Sequence, residues 1–202
     1  MKTTAPRRTQ QQRSAESAER LRQALAELVI EQGYERTTAA EIGLRAGYSR
    51  AMVRERYESK DQLLGALHRD YEALLLGRND EESGLARILG AFDRLHQFSL
   101  EKPILLKAIL IASFEAAAGG HVMRPVVDRW LAALGAQLQQ WIREGLDDGT
   151  VSAGIDVEAE VEQLLIEAIG ISYRWIQDPD LDSMPRRLTA WRDRSIGRLR
   201  RS

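Results

Sequence analysis

Between Arg50 and Lys60 the chain carries four cations: Arg50, Arg54, Arg56 and Lys60. A guanidinium presents its donors in a rigid fork that matches the paired acceptors of a guanine edge, or a phosphate. An ammonium is a point charge suited to phosphate oxygens. Ala51 adds a methyl group of the kind that touches a thymine methyl, with Tyr48, Ser49 and Met52 beside it. If Ser49 to Tyr57 is a helix, Val53 and Tyr57 point inwards onto Ile42 and Leu28. Arg50, Ala51, Met52, Arg54 and Arg56 then face outwards. A bland explanation competes, in which these arginines form a solvated face with Glu55 and Glu58. Residue types alone do not choose between the two.

Other chemistries find little support. There are no cysteines among the 202 residues, so disulfides and thiolate metal sites are excluded. His68, His96 and His121 lie far apart and lack the helical pairing of a zinc site, so no metal is expected. Gly47-Tyr48-Ser49-Arg50-Ala51 brushes against a nucleophile elbow, but a capped helix precedes it where that motif needs a strand. No glycine-rich phosphate loop is present, and no catalytic residue or cofactor is expected. The basic start runs into Gln10-Gln11-Gln12 where a signal peptide needs an apolar run. The most apolar segment, Ile104 to Phe114, is interrupted by Lys107 and too short for a bilayer. A soluble, cytoplasmic protein without a membrane partner is expected. The net charge of −1 hides an asymmetry: residues 1–60 hold 12 Lys/Arg against 8 Asp/Glu, whereas residues 61–202 hold 17 against 22. The basic end is the end with the arginine cluster.

The elements that must hold this cluster read as helices throughout. Residues 1–13, with Arg7, Arg8 and Arg13, have nothing to bury and are expected to form a disordered basic arm, able to reach a minor groove or phosphates. Leu21, Leu25 and Leu28 share one face of a helix running from Ser14 to Gly33. Thr38 and Glu41 have the spacing of a capping box, and Gly47 can close the short helix that follows. Ser49 can cap the next helix, and Ser59 with Gln62 a long fourth one reaching towards Gly77. Arg78-Asn79-Asp80 reads as a turn. Further helices are expected at Leu85–Leu100, Pro103–Ala118, Val122–Leu146, Asp156–Gln177 and Pro185–Leu199. No segment alternates with period two, so the fold class is all-α with about nine helices.

Residues 20–67 as a run, with Ile30-Glu31-Gln32-Gly33-Tyr34, Glu41-Ile42, Ala46-Gly47-Tyr48-Ser49 and Tyr57-Glu58-Ser59-Lys60-Asp61-Gln62-Leu63, resemble the DNA-binding domain of the TetR/AcrR family of bacterial regulators. The family usually has Tyr where Arg54 stands, His or another aromatic at Arg56, Gly or Pro at Ala51, and Phe at Tyr57. The resemblance implies a helix-turn-helix DNA-binding domain at 14–60 and a helical ligand-binding and dimerisation domain at 61–202. It implies contact with double-stranded DNA through Thr38, Tyr48, Ser49, Arg50, Ala51, Met52, Arg54, Arg56 and Lys60. Arg50 would read a guanine, while Arg54, Arg56 and Lys60 would meet phosphates.

The same resemblance implies a homodimeric regulator, most often a repressor, released from a palindromic operator by a small, largely apolar inducer. Phe92, His96, Phe114, Trp130 and Tyr173 are the expected pocket residues, with Glu115, Arg124 and Arg174 as further polar anchors. For the dimer, the helix from Asp156 is apolar on more of its surface than one packing face requires, notably at Val161, Leu164, Ala168 and Trp175. Leu188 and Trp191 form a stripe on the last helix. Two such helices per copy would make a four-helix interface, with Gly170 allowing close approach. An all-α enzyme and a helical interaction module remain the alternatives.

Overall fold

The computed structural model describes residues 10–77, 83–119 and 123–200, and among these it is all-helical. The helices are α1 (Gln10–Gln32), α2 (Ala39–Arg45), α3 (Met52–Tyr57), α4 (Lys60–Leu75), α5 (Gly84–Glu101), α6 (Pro103–Gly119), α7 (Arg124–Asp147), α8 (Val157–Ile176) and α9 (Ser183–Leu199). Arg7 and Arg8 of the expected arm, the expected turn at Arg78-Asn79-Asp80, His121 and the expected helix start at Val122 lie outside the described residues. α1 begins at Gln10, not Ser14, which places Arg13 on a helix. Glutamine and arginine are good helix formers, and they extend α1 by a turn with no apolar partner. No single helix among the described residues is long and apolar enough to cross a membrane.

α1, α2, α3 and the first turns of α4 enclose one apolar cluster. Leu21, Leu25, Val29, Ile42, Val53, Leu63 and Leu64 are each no more than 1 % exposed within it. α4 then carries Tyr71 and Leu75 into a second cluster built by α5 to α9, where Trp141, Ile142 and Trp175 have no exposed surface. α1 lies along α6, so the two clusters meet along a helix pair as well as through α4. Lys107 is nearly buried yet satisfied: its ammonium donates to the Asp178 carbonyl at 2.7 Å and lies over the Trp175 ring. That position also favours the negative end of α8.

The structure places most of the expected dimer stripe inside the chain's own core. Leu164, Trp175, Leu188 and Trp191 are buried in the chain's own core, where Trp191 packs edge-on against Phe92 with centroids 4.6 Å apart. Val161 and Ala168 are half-buried against the same core. The face that α8 turns to solvent carries Ile166, Ile169, Gly170 and Tyr173, at i, i+3, i+4 and i+7. Periodicity reveals that a helix has a second apolar face, but not which of the two meets its own core.

Candidate nucleic-acid interface and internal cavity

The turn between α2 and α3 is built from the backbone outwards. The Thr38 hydroxyl accepts the Glu41 N–H at 3.2 Å, and the Glu41 carboxylate takes the Thr38 N–H at 2.8 Å, the reciprocal bonds of a capping box. The Glu41 carboxylate therefore already occupies the positive end of α2, and Thr38 is spent on the cap. Gly47 closes α2 with φ +79°, a left-handed conformation that favours glycine. Gly43 serves a purpose that sequence reasoning missed: a Cβ there would lie 2.4 Å from the Ser49 carbonyl oxygen. Its absence lets the start of the next helix lie against α2. Ser49 does not cap that helix as expected. The cap position is Ala51, with no side-chain bond, and the Ser49 carbonyl instead accepts the Met52 N–H at 3.1 Å.

The cations around this turn divide into two groups. Arg45 forks onto Glu31 at 2.8 and 2.7 Å and ties α2 to α1. Arg56 donates to the Ser17 and Ser14 hydroxyls at 3.0 Å each and ties α3 to α1. Lys60 donates to the carbonyls of Tyr34 at 2.9 Å, Glu35 at 3.3 Å and Thr37 at 2.9 Å, and sits over the Tyr34 ring. All three are used inside the fold, and Lys60 least resembles the free phosphate cation expected of it. Arg50 and Arg54 are exposed and make no hydrogen bond or ion pair among the described residues. Ala51 and Ser49 are exposed beside them, whereas Tyr48 and Met52 are half-buried against the core instead of facing fully outwards.

Lys60→Met keeps the aliphatic stem and removes the three charge-assisted bonds. It should cost about 1–3 kcal/mol of stability in denaturant unfolding, because the loop carbonyls lose their donor. The salt slope of DNA binding should stay unchanged. A slope lower by about one unit would return Lys60 to the phosphate contacts.

The loop from Gly33 to Thr37 is gripped from two sides, a feature with no local signal in the sequence. Glu115 of α6 accepts the N–H groups of Tyr34 at 2.9 Å and Glu35 at 3.3 Å. From the other side come Lys60, on the carbonyls, and Asp61, which accepts the Tyr34 hydroxyl at 2.5 Å. Burial is the first cause, and that bond the second, of a Tyr34 phenol pushed far above its ordinary range. Glu115 was expected as a pocket anchor and is found here.

The pocket itself is a cavity of about 240 Å³ between α4 and the helices α5 to α9. Of the residues named for a pocket, Phe92, Phe114 and Trp130 line this cavity, together with Tyr71, Leu110, Ser113 and Leu131. His96 does not: it lines a separate cleft with Phe92, Asp93 and Arg192. Tyr173 is 53 % exposed and reaches only the edge of the Phe114 ring, at a centroid distance of 5.6 Å. Arg124 is taken up by Asp128 and the Ala117 carbonyl, and Arg174 faces solvent. Among the described residues, no charged side chain lines the cavity. Next to it, His68 is buried with Nε2 3.3 Å from the Ser113 hydroxyl, and burial pushes its imidazole down to about 4. The ring is therefore neutral near pH 7 and adds no charge to the site.

Residues 21–67, the segment that forms this turn and its supports, match the sequence profile of bacterial regulatory proteins of the tetR family. Among curated proteins no sequence matches. Solved structures of similar fold include a TetR transcription regulator from Haloarcula marismortui, 23 % identical, with a TM-score of 0.68 and coverage of 92 % of this chain and 97 % of that one. A complex of SmeT with triclosan is 19 % identical, with a TM-score of 0.71 and 90 % of each chain covered. The fatty acid degradation regulator FadR from Bacillus halodurans is 13 % identical, with a TM-score of 0.72 and both chains covered completely. At these identities the likeness shows the fold, while the profile match concerns the segment around Arg50 itself. Over residues 21–67 the chain therefore matches bacterial regulatory proteins of the tetR family, and over most of its length it shares the fold of these solved regulators.

Proposed function

We propose that the protein is a cytoplasmic, homodimeric repressor that reads a palindromic operator with Arg50 and Arg54 of each copy and lets go when a small, uncharged, apolar molecule fills the cavity. The observation that carries the DNA half of this reading is the division of the cations. The fold consumes Arg45, Arg56 and Lys60, and leaves the two arginines around the start of α3 without a partner among the described residues. A B-DNA major groove admits one helix and is read near the N-terminal end of that helix, where Arg50 stands. Arg50, ahead of Ala51, suits a base edge; Arg54, a turn further on, suits a phosphate.

The ligand half is supported by the cavity lining. With no charged side chain among the described residues of the wall, a carboxylate or ammonium placed inside would have no counter-charge from them, which is costly. The similar SmeT fold has been solved with triclosan, a single small molecule. Dimerisation is supported by the outward face of α8, where Ile166 is 55 % exposed and Tyr173 53 %, with Ile169, 45 % exposed, between that face and the cavity it also lines. Contiguous exposed apolar surface of this kind marks interaction sites.

Selection of duplexes from a random pool tests the reading. Wild-type chain should enrich a two-fold symmetric sequence whose binding weakens steeply with salt. Arg50→Ala should lose about 1–3 kcal/mol on that sequence and lose preference at one base pair in each half-site. Unaltered sequence preference in Arg50→Ala would show that Arg50 reads no base.

A further inference from the structure

Glu115 stands one residue from Phe114 on α6, and Ser113, Phe114 and Ala117 form the cavity wall while Glu115 itself does not. Its carboxylate points the other way, to the loop that leads into α2. There Oε2 accepts the N–H groups of Tyr34 at 2.9 Å and Glu35 at 3.3 Å. Gly33 makes room for this contact: a Cβ there would meet Oε1 at 2.5 Å, and its φ of +82° already favours glycine. The loop carbonyls, by contrast, are held by Lys60 at the start of α4. So the N–H side of the loop is fixed by the helix that walls the cavity, and the C=O side by the helix that follows α3. α2 starts at the end of this loop.

We propose that Glu115 is a positioning residue through which occupancy of the cavity reaches the DNA-reading helices, an inference that rests on the ligand-responsive reading given above. α6 is a stiff rod, so a molecule pressing on Phe114 and Ala117 moves Glu115 with them. A hydrogen bond of 2.9 Å is largely lost when its atoms separate by about another ångström. Release of the Tyr34 and Glu35 amides frees the entry to α2 and, with it, the angle at which Arg50 meets the groove. The coupling runs through one carboxylate with two discrete states, bound and released.

The test uses the full chain, the duplex selected above and N-phenyl-1-naphthylamine, an uncharged fluorescent dye, as the cavity probe. In wild-type chain, saturating dye should lower duplex affinity between about 5- and 150-fold. It should also speed amide exchange at Tyr34 and Glu35. Glu115→Ala should bind the dye with an unchanged Kd, show fast exchange at those amides with or without dye, and lose less than about twofold of its duplex affinity on dye binding. Glu115→Gln keeps a neutral acceptor and should retain part of the coupling, which guards against misfolding of the alanine variant. Full wild-type coupling in both variants would overturn the role of Glu115 alone. Dye that binds wild-type chain without changing duplex affinity would overturn the ligand-responsive reading together with it.

Discussion

A chain carrying Ile166→Glu and Gly170→Glu should sediment as a folded monomer and bind the selected duplex about 10²–10⁴-fold more weakly than wild type. The two positions are one turn apart on the solvent face of α8. Neither mutation touches the chain's own core: Ile166 is 55 % exposed, and a Cβ at Gly170 would meet nothing within 4 Å. Replacing a helical glycine removes a propensity penalty of about 1 kcal/mol, so the monomer should melt no lower than wild type. Across a two-fold axis, however, each glutamate would face its symmetry mates in a dry apolar contact, where unpaired charge is costly. The affinity loss follows from avidity, since two linked reading heads gain by effective concentration what one head lacks. A variant at Leu164 would not make this test, because Leu164 is only 2 % exposed and walls the cavity, so its loss damages the monomer itself. Sedimentation of the Ile166/Gly170 variant as a dimer would remove this face of α8 from the interface.

Gly43→Ala should destabilise the amino-terminal unit by about 1–3 kcal/mol and weaken duplex binding at least tenfold. Two principles disagree about this substitution, which makes its sign informative. Helix propensity alone predicts a gain of about 1 kcal/mol, since Gly43 lies inside α2. Packing predicts a loss, because the new methyl would lie 2.4 Å from the Ser49 carbonyl oxygen and 3.5 Å from the Arg50 Cα. The nearest atom belongs to the backbone and cannot swing aside as a flexible side chain would. The turn is also held by the Tyr48 N–H donating to the Gly43 carbonyl at 2.9 Å, so backing away breaks that bond too. Relief of the clash moves Arg50 relative to α2, and a misplaced fork loses its bidentate geometry on a base edge. Denaturant unfolding and a duplex titration measure both effects. A more stable Gly43→Ala chain with full affinity would show that the turn has slack the structure does not suggest.

The sequence by itself determined the helical class, the order of the elements and the unit around the short helix at Thr38. These rest on interactions between residues three or four apart, such as the Thr38–Glu41 box, the left-handed Gly47 and the leucines of α1, and local spacing records such interactions directly. What the tertiary structure decided is the assignment of partners. Arg50, Arg54, Arg56 and Lys60 look alike in the sequence, but only the fold shows that Arg56 is held by Ser14 and Ser17 and Lys60 by three carbonyls. Glu115 reads as a polar residue in an apolar helix, and its bond to the Tyr34 N–H spans 81 residues. His96 and Tyr173 carry the right chemistry for a pocket, yet the rotation of α5 and α8 points them elsewhere. The rotation of α8 also turns Leu164 and Trp175 inwards and leaves Ile166 outside, although all three are equally apolar letters. Periodicity constrains a helix against itself. Its azimuth, and hence which face becomes core, cavity or interface, is set by the other helices packed around it, through contacts with no fixed spacing along the chain.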